Sequence, residues 1–340
     1  MTKRILYFLC FLIGTSLFYI NNKYNVLSSY GFGKKTLTVK LINHAGSKTV
    51  RGIINDILQE RYNIKISNKN YDMIFDTGYC ENGICEQVNS ESSHIIKIFY
   101  TLEADRRPLD QYDLNIGFEH INDPRYFRLP FYYMGKYSTQ ISTNYDRAKN
   151  LGVCKPNKPY FACFLVSNPG GGDGRDHHPL DGCIARNSVF HKLSTYKRVE
   201  SGGAYLNNIG KKIHKNEMMS WMSQCKFVIS YENQTSFDGY ITEKPFQAYF
   251  AGAIPIYYGN KIATHDLNPN AIIDAKSFKN EDELLEHIKK VDNDDSLYCD
   301  IWNQNIIVNP NLNFDLVKNQ LRKKIFELLD RKFEFSHQKQ

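Results

Sequence analysis

Zinc-finger spacing, RNP-like strands and heptad arrays are all missing from this 340-residue chain. With them go the sequence marks of the common nucleic-acid-binding and coiled-coil proteins. Blocks of like charge are missing too: the formal net charge of +7 is spread thinly. No polyanionic partner such as DNA is demanded, and a small phosphorylated ligand would suffice. Histidine is scarce, at ten residues, and no Cys/His/His spacing supports a structural zinc ion. Tryptophan is scarcer still, with 2 Trp against 23 Tyr and 21 Phe. Aromatic rings with polar tips suit both cores and sugar-binding clefts.

What is present is ordinary globular composition, 42% hydrophobic and 23% charged, in a length that fits two domains of roughly 150 residues. One apolar run stands apart. Lys3 and Arg4 precede an uncharged, mainly apolar stretch from Ile5 to Ile20. As a helix it spans about 24 Å, short of a hydrocarbon core of ~30 Å but tolerable in a thin secretory membrane. Basic residues ahead of it favour a cytoplasmic N-terminus. The expectation is a signal anchor over 1–22 and a polar stem over 23–35, giving a single-pass type II protein of the Golgi or secretory lumen; a cleaved signal peptide is the rival. Eight cysteines are present, Cys10 among them in the apolar run. The remaining seven cannot all pair. In a lumenal setting Cys80 and Cys85 have the spacing that most invites a disulfide, and buried free thiols are the alternative.

Beyond the stem, short apolar runs alternate with helical patterns. Thr36 to Ile42 alternates like a strand, and Val50 to Leu58 gathers Ile53, Ile54, Ile57 and Leu58 on one helical face. Tyr71 to Phe75, Ile95 to Tyr100 and Leu114 to Phe118 read as further strands. A second series supplies strands at Phe161–Val166, Phe227–Tyr231 and Ile254–Tyr258. Its helices fall at Ala185–Leu193, Glu217–Ser223 and Thr242–Ala251, and Asn280 with Glu283 starts another. This pattern predicts an α/β protein of two Rossmann-like lobes, 36–150 and 151–312, with a cleft between them. The tail, 313–340, reads as a basic amphipathic helix, either packed across the lobes or lying on a membrane surface.

Polar residues concentrate in Phe227–Asn260, at a strand-to-helix turn where α/β proteins bind ligands. Thr242 is expected to cap a helix whose first turn holds Glu243, Lys244 and Pro245. A lysine there is electrostatically misplaced unless an anion sits nearby, so Lys244 reads as a diphosphate ligand. Glu243 either complements the helix dipole or accepts from sugar hydroxyls. Two decoys are set aside. The Gly-rich stretch PGGGDGRDHHPLDG lacks a Gly-Lys-Ser/Thr ending, and His177 with His178 lacks a third ligand. Asp292-Asn293-Asp294 looks like a metal-binding DxD but closes a helix.

The segment YENQ…YITEKPFQAYFAGAIPIYYG resembles the donor-binding signature of the α-1,3-fucosyltransferase family, glycosyltransferase family 10. The resemblance extends upstream through Ser167-Asn168-Pro169, Arg186-Asn187 and Val199-Glu200-Ser201-Gly202-Gly203. It implies the GT-B arrangement, with GDP-fucose in the C-terminal lobe and a glycan acceptor of N-acetylglucosamine or N-acetyllactosamine type. It further implies that Arg186 pairs with the diphosphate and that Asn168, Asn233, Tyr240, Glu243 and Lys244 contribute to donor binding. No tightly bound cofactor or metal is implied, a divalent cation entering only as a stimulant, and no nucleic acid.

In the first lobe, Glu103 follows a strand end where a carboxylate faces the ligand crevice. The family places its general base in a matching position, so Glu103 is the expected base, with Asp105 and Glu119 in reserve. Arg125 and Arg128 either brace Glu103 or the acceptor, or are structural. The reaction implied is a single displacement that turns β-linked fucose into an α-1,3-fucoside. A GT-B enzyme using another nucleotide sugar, or a glycan-binding relative without turnover, are the alternatives. Asn233-Gln-Thr235 is a glycosylation sequon, and the site reading requires Asn233 to be unmodified.

Overall fold

The apolar runs become the buried strands of two parallel sheets. The computed structural model describes residues 34–44, 50, 52–79, 85–88, 94–133, 146–170, 181–309 and 313–337. The expected anchor, nearly all of the stem, Cys80 and the stretch holding His177 and His178 lie outside the described residues. No helix among the described residues is long and apolar enough to cross a membrane.

The first lobe comprises β1 (Lys35–His44), α1 (Gly52–Gln59), β2 (Tyr62–Ile66), β3 (Met73–Tyr79), β4 (Ile96–Tyr100), β5 (Leu114–Gly117) and β6 (Tyr126–Arg128). Its six strands are all parallel, in the order β2-β1-β3-β4-β5-β6. The four apolar residues expected on one face of α1 are all buried. After α2 (Arg147–Leu151), the second lobe runs through β7 (Tyr160–Phe164), α3 (Asp181–Ser194), β8 (Val199–Ser201), α4 (Met218–Met222) and β9 (Cys225–Tyr231). It continues with α5 (Lys244–Phe250), β10 (Ile254–Tyr258), β11 (Ile273–Asp274), α6 (Glu281–Asn293) and α7 (Asp295–Trp302). The sheet order is β11-β10-β9-β7-β8, again parallel throughout. Every residue of β9 is buried, as expected for a central parallel strand with both faces covered. The Asn280 side chain caps α6 through the N–H groups of Asp282 and Glu283.

The tail forms α8 (Phe314–His337) and takes the packed alternative. Its Leu321, Ile325 and Leu329 are buried in one cluster with Leu37 and Ile54 of the first lobe and Phe246 and Phe250 of the second. Ion pairs Arg61–Asp330 (3.1 Å) and Lys332–Asp113 (3.0 Å) tie it to the first lobe. Two disulfides, Cys154–Cys299 and Cys163–Cys225, lie within the second lobe. Cys85 is also disulfide-bonded, and Cys183 is buried.

The lobes are joined by polar contacts as well as core. Asp266, on the second lobe, accepts from three first-lobe groups: Arg128 Nη2 at 2.6 Å, Tyr132 Oη at 2.9 Å and His120 Nε2 at 3.2 Å. Arg128 also donates to the Phe118 carbonyl (2.9 Å), while Arg125 pairs with its neighbour Asp123. Arg128 thus fixes one lobe against the other. The Asp266 side chain is only 9% exposed, and removing one partner of a buried charged cluster leaves the other uncompensated. Asp266→Ala is expected to cost about 3–5 kcal/mol, read as a lowered melting temperature; an unchanged melt would show that the contact does not hold the lobes.

Candidate active site

Strand order in the second lobe reverses at β7: the chain steps out to β8, then crosses back to β9. Ligands of open α/β sheets bind outside the carboxyl ends of strands at such a reversal. A cavity of about 1090 Å³ opens there, reaching over to the first lobe. Ligand pockets usually measure roughly 300–1,000 Å³, so a nucleotide sugar fits. Glu103, Asn168, Arg186, Asn233, Glu243 and Lys244 all line it.

Arg186 stands in the second turn of α3, the helix after β7. That helix approaches β9 closely because residue 182 is glycine: a Cβ there would meet the Glu232 carbonyl oxygen at 2.0 Å. The Arg186 residue is only 4% exposed. Its guanidinium donates to the Asn168 carbonyl (3.0 Å) and to Asn233 Oδ1 (3.3 Å), while Nε has no partner. Among the described residues no carboxylate pairs with it. Burial pushes the Arg186 guanidinium below its usual range. Buried cations are normally paired, so an arginine held this way at a cavity wall is built for an incoming anion.

Lys244 stands in the first turn of its helix as expected, but the cap and the offsetting anion differ. Thr242 does not cap α5; its N–H and hydroxyl both donate to the Glu232 carboxylate, at 2.8 and 2.6 Å. The helix starts at Lys244, with Glu243 as the N-cap residue. The anion that offsets Lys244 is internal: Nζ lies 3.0 Å from Glu232 Oε2, and Glu232 is fully buried while the lysine side chain keeps 25% exposure. Desolvation pulls the Lys244 ammonium down, but the carboxylates of Glu232, Glu243 and Glu103 outweigh it and raise it above the usual lysine range. Lys244 is thus held protonated at the cavity wall, anchored from behind. Glu103 reaches it electrostatically from the opposite lobe.

Of the three first-lobe carboxylates, only Glu103 lines the cavity. Asp105 is engaged by Arg107 Nη1 (2.7 Å) and Glu119 by Arg106 Nε (3.0 Å). Tyr240 is not among the residues lining the cavity. It is buried with Ala104, Phe118 and Phe237, its ring 5.0 Å from that of Phe118, so it packs behind the turn that carries Glu103. Asp292 of the DxD-like triplet is bound by Lys197 (2.5 Å) and Lys226 (2.8 Å), a structural role. Among the described residues no group of three His, Cys, Asp or Glu could hold a metal ion.

These elements can be set beside known proteins. A model of the glycosyltransferase family 10 (fucosyltransferase) C-terminal region matches residues 156–321. A model of the alpha-(1,3)-fucosyltransferase FucT N-terminal domain matches residues 39–135. The chain belongs to glycosyltransferase family 10. It is 28% identical over 306 residues to the alpha-(1,3)-fucosyltransferase FucT of Helicobacter pylori, covering 79% of this chain and 60% of that protein. It is 27% identical over 150 residues to 4-galactosyl-N-acetylglucosaminide 3-alpha-L-fucosyltransferase 9 of Mus musculus, covering 44% of this chain and 38% of that one. The chain therefore spans about three fifths of the first relative's length and less of the second's. A crystal structure of alpha1,3-fucosyltransferase with GDP superposes with a TM-score of 0.65 at 25% identity, covering 86% of this chain and 91% of that one. The two parallel α/β lobes are the GT-B arrangement of that fold.

One part of the family 10 cavity escaped the sequence reading. Lys212, His214 and Lys215 line its outer wall on the segment after β8. The basic run Lys211–Lys215 passes for a solvated loop, since nothing in it says that β8 ends at the cavity. Lys212 and Lys215 are exposed and have no ion-pair partner among the described residues. Reversing both, Lys212→Glu with Lys215→Glu, is expected to raise KM for a diphosphate donor about tenfold at low salt, fading as salt screens the wall. The turnover number stays, because the lysines act on binding alone. Equal KM at low and high salt would remove them from the donor path.

Proposed function

We propose that this chain is an inverting fucosyltransferase that moves L-fucose from GDP-fucose to a hydroxyl of N-acetylglucosamine in a glycan, in α-1,3 linkage. One observation carries the reading: Arg186, buried and paired with no carboxylate among the described residues, shares a cavity with the anchored ammonium of Lys244 and, across the cleft, with Glu103. Two cations suit a diphosphate, and a carboxylate on the facing lobe suits a base.

Glu103 takes the proton of the acceptor hydroxyl as that oxygen attacks C1 of the β-linked fucose. The bond from C1 to the β-phosphate oxygen breaks, GDP leaves, and configuration inverts. Negative charge grows on the departing phosphate, where Arg186 and Lys244 offset it more strongly than in the ground state. Asn233 holds Arg186 by Oδ1, which ties the sequon asparagine to the donor site. Glu243 is the acceptor for donor hydroxyls. No metal step is needed in this scheme, since two fixed cations take the leaving-group charge.

The N-terminal signal anchor and lumenal placement complete the proposal. The two second-lobe disulfides favour it, because such bonds persist in oxidising compartments. The test is transfer of labelled sugar from a donor panel to N-acetyllactosamine by the chain lacking residues 1–30. Transfer from GDP-fucose supports the reading; transfer only from a different nucleotide sugar overturns the donor assignment.

A further inference from the structure

Glu103 sits on a turn, residues 101–108, with no regular secondary structure. A base must be held within about half an ångström of its working position, so something outside the turn has to fix it. The turn's first residue is tied to β5, the Thr101 N–H donating to the Ile116 carbonyl (3.0 Å), and the bonds around Glu103 itself are local. Thr101 Oγ1 accepts from the Glu103 N–H (3.1 Å) and donates to its carbonyl (3.0 Å), and the Asp105 N–H donates to the same carbonyl (2.7 Å).

The side-chain ties to the lobe come from two consecutive arginines that splay apart. Arg106 turns outward to Glu119, just beyond β5, and lies 5.7 Å from the Phe237 ring of the donor loop. Arg107 turns inward, its side chain 14% exposed. Its Nη1 donates to Asp105 Oδ1 at 2.7 Å, its Nε lies 3.7 Å from Asp76 Oδ2, and its guanidinium sits 5.4 Å from the Phe99 ring centre. Asp76, on β3, is fully buried and is itself fixed by the Tyr112 hydroxyl (2.5 Å) and the Gly78 N–H (2.8 Å).

The geometry points to Arg107 as a positioning residue for Glu103: it clamps Asp105, whose N–H holds the Glu103 carbonyl, onto the buried carboxylate of Asp76. A chain of contacts then runs from β3 through Arg107 and Asp105 to the base. Arg107 is not among the cavity-lining residues, so its effect falls on where Glu103 stands and not on donor binding. The inference rests on Glu103 being the base. Arginine suits this place better than lysine, because one planar fork serves two carboxylates while its face packs on an aromatic ring.

The test compares Arg107→Met, Arg107→Lys and Asp105→Asn with Glu103→Gln, reading kcat for fucose transfer and Kd for GDP. Small displacements of a reacting group can cost about 10²-fold. Arg107→Met and Asp105→Asn are therefore expected to lower kcat about 10–100-fold with the Kd for GDP unchanged, and Arg107→Lys to retain more activity than Met. If Arg107→Met does not fold, Asp105→Asn carries the test, since it keeps the side-chain shape and weakens only the link. Wild-type kcat in Asp105→Asn, or GDP affinity that falls in step with kcat, overturns the positioning role. Full activity in Glu103→Gln would instead sink the base assignment, so the two failures are distinguishable.

Discussion

Glu103→Gln is expected to lower kcat about 10²–10⁴-fold while the affinity for GDP-fucose holds or tightens slightly. Glutamine keeps the size of the side chain and its place on the turn but cannot take the acceptor proton. The donor should not be lost, because Glu103 belongs to the lobe opposite Arg186 and Asn168. The small gain in affinity has an electrostatic cause: Glu103 adds to the negative field at Lys244, and a dianionic donor is bound more easily once that charge is gone. Asp105 and Glu119 cannot take over, since arginines engage both and neither lines the cavity. Steady-state kinetics and calorimetry on the same preparation check both halves. Loss of donor affinity equal to the loss of kcat would move Glu103 from base to binding residue.

Arg186→Met is expected to separate stability from function. Hydrogen bonds to charged groups are worth about 1.5–3 kcal/mol, so GDP-fucose affinity should fall roughly 10–100-fold. The melting temperature of the ligand-free protein should hold or rise. Among the described residues no carboxylate pairs with the buried guanidinium and its Nε has no partner, and an apolar side chain of similar length relieves that cost. Added GDP should then stabilise the variant far less than the parent. A melting temperature that drops sharply with donor affinity intact would make Arg186 a structural residue.

The elements and residues legible in the sequence share a physical character. β4, β9 and β10 are short apolar runs between polar turns, and periodicity finds them. β2, with the burial of an edge strand, and the three-residue β6 carry too little pattern to be seen. Within the site, Glu103, Arg186 and Lys244 stand in motif positions, so resemblance reaches them. Which contacts they make is not visible there. Glu232 stands in the same YENQ motif, and only the fold turns its carboxylate under Lys244 and Thr242. Tyr240 shares the motif's polarity yet packs on Phe118, because its place is set by a lobe distant in sequence. Asp266 joins Arg128 across 138 residues of sequence, and no local pattern encodes such a contact. The lysines after β8 were invisible for the same reason: strand order, not spacing, brings them to the cavity.

A single displacement is expected to occur between Glu103 on one lobe and the Arg186–Lys244 pair on the other. The decisive measurement is the anomeric configuration of the fucoside formed from GDP-fucose and N-acetyllactosamine, read by proton NMR. An α-fucoside is expected from the parent protein, and its formation by Glu103→Gln is expected to be slowed about 10²–10⁴-fold. A β-fucoside, or an α-fucoside formed at the parent rate without Glu103, would contradict it.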